Sequence, residues 1–234
     1  MSDPFRNLRL YYHRFLKTKI RKLDGVRVAT DNTIPNFVRS VIYKGTYEGA
    51  ERELLKGVIR AGDTVLEVGA GIGFMGLMAA RLAAPGRVVS FEANPNLKDV
   101  IEKNYSLNEN QPELRMQAMT VDGASVTFNA SPNLISSSLY SRDAKQVSVT
   151  VDSAAIEAVF SELQPDIMVM HVEGAEVDLL ANGDLASARA LLIELHPHIV
   201  GQGRISELLT SLEGRGFIQT AQLQNNVLLT RHGK

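Results

Sequence analysis

Two pairs of side chains in the second half of the chain have the chemistry to move a proton: His171 with Glu173, and Glu194 with His196. An imidazole titrates near neutrality, so a nearby carboxylate that orients its ring equips it to take a proton from a hydroxyl. Each pair is spaced two residues apart, and in a strand such residues point to one face. If both pairs end neighbouring strands, four polar groups converge, and His171 is the expected general base. A divalent cation is the rival use of these groups, but the spacing matches no dedicated metal motif and no metal is expected. Taken singly, each has an equally good structural reading: Glu173 and Glu194 as helix caps, His196 as a satisfied buried histidine.

The groups suited to a cofactor come earlier. In Val65-Leu66-Glu67-Val68-Gly69-Ala70-Gly71-Ile72-Gly73 an apolar strand runs into a glycine turn that opens a helix, and glycine there lets a ligand approach bare backbone. Gly71-Ile72-Gly73-Phe74-Met75-Gly76 satisfies the dinucleotide pattern G-x-G-x-x-G. That fingerprint should begin directly after the strand, however, and counted from Gly69 its third glycine falls on Phe74. Glu67, an acid inside the strand end, suits the cationic amino-acid end of S-adenosylmethionine (SAM), whereas it would repel a pyrophosphate. Glu92 ends the next strand, about twenty residues on, where a carboxylate accepts hydrogen bonds from ribose hydroxyls. That requirement is common to SAM and NAD. Asp122-Gly123 reads as a hairpin turn rather than an adenine contact.

The elements that must position these groups follow from periodicity. From Gly62 onward, short β-branched runs alternate with helical ones, the pattern of βαβ units and a mostly parallel sheet. Parallel strands are predicted at Thr64–Val68, Arg87–Phe91, Leu114–Ala118, Asp166–Val172 and Ala190–His196. Helices are predicted at Phe74–Leu82, Asn96–Asn108, Ser153–Leu163, Ala175–Leu180 and Ile205–Arg215. Phe217–Leu223 and Val227–Leu229, joined through Asn225 and Asn226, form an expected closing hairpin, an antiparallel pair unusual in nicotinamide-binding folds. Val126–Phe128 and Val147–Val151 flank a polar stretch containing Ser136, Ser137 and Ser138, expected to be a solvent loop. Near the start, Arg6, Arg9, Arg14, Lys17, Lys19, Arg21 and Lys22 interleave with Leu8, Leu10, Tyr11, Tyr12, Phe15, Leu16 and Ile20. This is a basic amphipathic helix, expected to pack its aromatic face on the main domain; a lid, a membrane-surface contact or a handle for an acidic substrate is the alternative.

Composition sets outer bounds. At 234 residues the chain supports one sizeable α/β core, and its 44% hydrophobic and 22% charged residues are ordinary for a globular protein. A net charge of −1 argues against a nucleic-acid partner. With no cysteine, disulfides, thiolate metal sites and a cysteine nucleophile are all excluded. No apolar run is long enough to span a bilayer and no secretory leader is visible, so the expected location is cytoplasmic.

From Gly45 to about His196 the chain resembles the FkbM family of SAM-dependent methyltransferases. The likeness is carried by Gly45-Thr46-Tyr47-Glu48, by the segment Ala61 to Gly73, by Phe91-Glu92-Ala93-Asn94-Pro95, and by Ile193-Glu194-Leu195-His196. Most specific is Met168-Val169-Met170-His171-Val172-Glu173-Gly174-Ala175-Glu176, similar to the signature K-x-D-V-E-G-A-E, with His171 where the family has aspartate. Glu67 stands for the more usual aspartate and Gly71 for the more usual asparagine. Periodicity and the resemblance together imply a doubly wound, mostly parallel seven-stranded α/β sheet over residues 45–234, and the charge pattern makes residues 1–44 a basic amphipathic helical segment before it. The resemblance implies SAM contacts from Glu48, Glu67, Gly69, Ala70, Gly71, Gly73, Phe74, Glu92 and Ala93, and methyl transfer to a hydroxyl of a small-molecule acceptor. The competing readings are a nicotinamide-dependent oxidoreductase and a SAM-binding module without catalysis.

Overall fold

The computed structural model describes residues 3–130 and 147–231; the serines at 136–138 lie outside them. In chain order the elements begin with α1 (Arg6–Phe15), β1 (Ile20–Leu23), β2 (Val26–Ala29), α2 (Asn36–Lys44) and α3 (Gly49–Val58). Next come β3 (Thr64–Val68), α4 (Phe74–Ala83), β4 (Arg87–Phe91), a 3-10 turn at Pro95–Leu97, α5 (Lys98–Ser106), β5 (Glu113–Arg115) and β6 (Ala118–Thr120). The second half holds β7 (Val126–Ala130), β8 (Val147–Val151), β9 (Ser153–Ala155), α6 (Ile156–Leu163), β10 (Ile167–Met170), α7 (Glu176–Asn182) and β11 (Ala190–Glu194). It closes with α8 (Pro197–Val200), α9 (Gln202–Gly214), β12 (Phe217–Leu223) and β13 (Asn226–Arg231).

Seven strands form the main sheet in the order β12-β13-β11-β10-β3-β4-β5. β11, β10, β3, β4 and β5 are parallel, and β13 and β12 are antiparallel. The central strands are apolar on both sides because helices cover both faces. Val65, Val88, Val169 and Leu192 face a cluster built from β2, α2, α3, α4 and α5. Leu66, Val89, Met168 and Leu191 face one built from α6, α7, α9 and the closing hairpin. The chain moves outward from β3 through β4 to β5, then returns to β10 on the other side of β3. That reversal opens a crevice at the carboxyl ends of β3 and β10, where open α/β sheets bind ligands.

Several elements differ from expectation for identifiable reasons. The strand predicted at Leu114–Ala118 is broken: the Gln117 amide turns back to the Arg115 carbonyl (2.9 Å) and the chain leaves the main sheet. β6 then pairs in parallel with β9, which takes the first three residues of the helix predicted from Ser153. Asp122-Gly123 is a turn, but not of a hairpin, because β6 and β7 pair with β9 and β8 respectively. Asp122 Oδ1 caps the Ala124 amide there (3.0 Å). The first 44 residues are not one helical segment. α1 stops at Phe15, and β1 and β2 form a hairpin whose Leu23, Val26 and Val28 enter the same hydrophobic cluster as β3 and α4. The aromatic face of α1 points to solvent rather than onto the domain.

Candidate functional site

β3 ends in a turn at which Gly69 (φ +91°), Gly71 (+58°) and Gly73 (+79°) all adopt left-handed backbone. Gly69 also permits a close approach: a Cβ there would overlap the His171 carbonyl oxygen and push the β3 and β10 ends apart. Asn104 of α5 anchors the far side of the turn, its amide donating to the Ile72 carbonyl (2.8 Å) and its oxygen accepting from the Ala29 amide (2.8 Å).

Around this turn a cleft is lined by Tyr47, Glu48 and Glu51, by Glu67 to Gly71, by Phe91, Glu92 and Ala93, by Gln117, Ala118 and Met119, and by His171, Val172 and Glu173. Glu92 is buried and already engaged: Oε2 accepts from the Gly71 amide (2.8 Å) and Oε1 from the Asn94 amide (2.8 Å). Each oxygen keeps a lone pair for a ribose hydroxyl. Glu67 is 2% exposed, and neither of its oxygens completes a hydrogen bond among the described residues. Burial pushes its carboxyl up to about 8, against the smaller opposing pull of Ser90 and the Gly76 amide. Gly76 is a glycine because a Cβ would strike the Glu67 and Ser90 side chains.

At the β10 end, His171 Nε2 lies 2.5 Å from Glu194 Oε2 and its Nδ1 lies 4.0 Å from Glu51 Oε2. Burial alone would lower this imidazole, but the contact with Glu194 and the charges of Glu51 and Glu48 win and push it up to about 10. Glu51 is only 3% exposed, and burial raises its carboxyl to about 8 while His171 pulls it down. Burial raises Glu48 as well. Glu194 is held below the ordinary range: burial opposes this, and His171 overrides it.

β10 and β11 are parallel neighbours as expected, yet the four convergent groups are arranged differently. β10 ends at Met170, and Glu173 sits in left-handed backbone (φ +50°), so strand alternation does not orient the 171/173 pair. His171 and Glu173 line the cleft, Glu194 meets it through His171, and His196 is buried. The His196 amide donates to Glu176 Oε1 (2.9 Å), its Nδ1 lies 3.2 Å from the same oxygen, and Nε2 is 3.8 Å from Glu194. Glu176, fully buried, also accepts from the Gly174 amide (2.7 Å). Of the residues expected to bind cofactor, Glu48, Glu67, Gly69, Ala70, Gly71, Glu92 and Ala93 line the cleft. Gly73 and Phe74 do not: Gly73 begins α4 against Tyr105, and Phe74 is a core residue packed edge-on to Tyr47. Sequence reasoning passed over Glu51, although it follows Glu48 by three residues in the first turn of the helix that Glu48 precedes. Two sets, His171/Glu173/His196 and Glu48/Glu51/His171, each bring ligand atoms within 4.8 Å of one another, a spacing on which a cation could be held.

A glycine turn at a topological switch, with one acid at the nucleoside end and a group of buried acids at the other, fits a positively charged nucleoside cofactor. The fold with its reversed closing hairpin is that of the Rossmann-like SAM-dependent methyltransferases. Residues 20–159, more than half of the chain, match the model of the TRM5/TYW2 methyltransferase domain, and the chain belongs to that family. Family and fold imply SAM as cofactor, and the nicotinamide reading is set aside. Among solved structures, a methyltransferase from Pyrococcus furiosus is similar over 97% of this chain and 98% of its own, at 13% identity and a TM-score of 0.51. The precorrin-6y C5,15-methyltransferase of Geobacter metallireducens aligns with 76% of this chain and 85% of its own (14%, TM-score 0.43). The fibrillarin pre-rRNA processing protein of Methanococcus jannaschii aligns with 75% and 69% (14%, TM-score 0.45). No curated protein matches the sequence. The exclusion of nucleic acid drawn from the net charge does not stand: basic residues crowd the start of the chain, and five cations line one cavity there, Arg14, Lys17, Lys19, Arg39 and Lys103. Net charge is a sum over the whole chain and cannot exclude such a partner when basic residues cluster locally. No helix among the described residues is long and apolar enough to cross a membrane.

Proposed function

We propose that the protein transfers the methyl group of SAM to a hydroxyl of a small molecule, with His171 as general base and Glu194 orienting it. The observation that carries this reading is the contact between His171, just past the end of β10, and Glu194, the last residue of β11, with His171 lining the same cleft as the glycine turn. Bound SAM supplies an electrophilic sulfonium methyl. Glu92 and the backbone of Gly69 to Gly71 would hold the nucleoside, and Glu67, Glu48 and Glu51 would face its cationic end. Glu194, Glu51 and Glu48 hold His171 as an imidazolium. When a second cation shares them, the imidazole's proton affinity falls and the neutral ring becomes able to accept the acceptor's proton. The hydroxyl specificity is supported by the FkbM-like segments around Glu173 and Glu194, and a small acceptor by the apolar side chains of Tyr47, Met119 and Val172 that line the same cleft as His171.

The test uses SAM labelled on its methyl group with panels of sugars, polyketides and RNA. Label in a small-molecule ether is expected. His171→Ala should lower kcat by about 100-fold or more while leaving S-adenosylhomocysteine affinity within a factor of two, as loss of a general base does. Label appearing in RNA alone would overturn the acceptor assignment, and an unchanged kcat would remove His171 from the mechanism. Stoichiometric cofactor binding with no transfer to any acceptor would leave a binding module.

A further inference from the structure

α1 is amphipathic but turned inside out. Its polar side faces the protein: the Arg9 guanidinium donates to the Lys44 carbonyl (2.8 Å), Arg14 donates to Ser40 Oγ (2.9 Å), and the His13 ring stacks on Tyr43 (5.5 Å). Leu10 is its one buried residue. Phe5, Leu8, Tyr12 and Phe15, spaced three and four apart, share the opposite face. They are 62%, 64%, 58% and 85% exposed, and Tyr11 and Leu16 flank them at 67% and 52%. Six large apolar side chains contiguous on one outward face mark a contact surface rather than scattered exposure.

Next to this helix lies a second cavity, distinct from the cofactor cleft, lined by the cations Arg14, Lys17, Lys19, Arg39 and Lys103. Among the described residues Asp31 is the one carboxylate lining it, and it is paired with Lys103 (2.5 Å). We propose that α1 and this basic cavity form a docking site for an anionic phospholipid surface: the apolar face enters the headgroup boundary, and the cations receive lipid phosphates. α1 carries Phe, Leu and Tyr on one side and Arg on the other, as an interfacial helix does, and Lys17 and Lys19 follow its end. Charge complementarity selects the occupant. A second copy of this chain placed on the same face would bring two like-charged cavities together. Single-stranded RNA would use the cations and the aromatic rings but would leave Leu8 and Leu16 uncovered, since bases stack on rings.

Flotation of the full chain with vesicles tests this, comparing pure phosphatidylcholine with phosphatidylcholine carrying about 30% phosphatidylglycerol. The protein is expected to float with the anionic vesicles and to be released as salt rises toward about 1 M, where screening is nearly complete. Leu8→Ser/Tyr12→Ser/Phe15→Ser and, separately, Lys17→Glu/Lys19→Glu should each reduce the floated fraction about tenfold while keeping the wild-type melting temperature. If the triple variant unfolds, Phe15→Ser alone replaces it, because that side chain is nearly free of the protein. Absence of flotation with anionic vesicles, or flotation untouched by these variants, overturns the proposal. So does tight binding of a single-stranded oligoribonucleotide, or a dimer in sedimentation, that the same variants abolish.

Discussion

Glu67 illustrates how a side chain chosen for a ligand burdens the fold. Its carboxyl is removed from water inside the central strand, without a completed hydrogen bond, and is raised from about 4.5 to about 8. In the unfolded chain it ionises near its ordinary value. Below about pH 4.5 both states hold the proton and the group does not affect stability. Between about 4.5 and 8 the unfolded chain has released a proton that the folded one retains, so stability falls with rising pH and levels off above about 8. His171 adds a loss in the same direction. Raised from 6.5 to about 10, it stabilises the fold fully below about 6.5 and ceases to do so as pH passes about 10. Glu67→Gln should therefore raise the melting temperature at pH 8 and leave it nearly unchanged at pH 4.5. Each tenfold change in proton affinity between the two states corresponds to about 1.4 kcal/mol, so the gain amounts to a few kcal/mol. Calorimetric scans across this range, paired with S-adenosylhomocysteine titrations, check both halves: stability up and cofactor affinity down. Equal melting temperatures at pH 8 would show that the carboxylate is not desolvated.

The β3 and β10 strands bring the two halves of the site into contact, and Gly69 sets how closely. Its φ of +91° and the nearby His171 carbonyl both reject a side chain. Gly69→Ala should cost more than about 2 kcal/mol, part backbone strain and part displacement of the β10 end. It should also weaken cofactor binding, which an ordinary destabilising change far from the crevice would not do at a temperature where the protein is folded. Thermal unfolding and cofactor titration of one variant separate the two effects. Glycine placement and four of the five parallel strands were legible in the sequence because each rests on local chemistry: a turn's dihedrals, or a run of residues buried on both sides. His196 and the end of β10 were not. Their roles depend on Glu176 reaching across from α7 and on Glu173 leaving the extended conformation, and neither pairing is marked by spacing along the chain. The broken third strand escaped for the same reason, its partner β9 lying more than thirty residues away.

Charge is segregated across the whole molecule in a way the total of −1 conceals: acids gather at the cofactor cleft and cations at the N-terminal cavity. The first 44 residues likewise divide into parts that depend differently on the rest. α1 contributes Leu10 to the interior and rests on α2 through a few polar contacts. The hairpin, α2 and the loop between them contribute Leu23, Val26, Val28, Ala29, Ile34, Val38 and Ile42 to the cluster that also holds Val65, Ile72 and Phe74. Burying one such valine, leucine or isoleucine is worth about 1.5–3 kcal/mol, so the six besides Ala29 together match the whole stability of a typical domain. Removal of residues 1–16 is therefore expected to preserve folding and cofactor affinity, with a melting temperature lower by a few degrees. Removal of residues 1–44 should abolish cooperative unfolding and cofactor binding together, because it opens the face of the sheet that supports α4 and, through Asn104, the glycine turn. Thermal unfolding and S-adenosylhomocysteine titration of the two truncations decide the matter. A stably folded protein lacking residues 1–44 would show that α3, α4 and α5 close that layer without the hairpin.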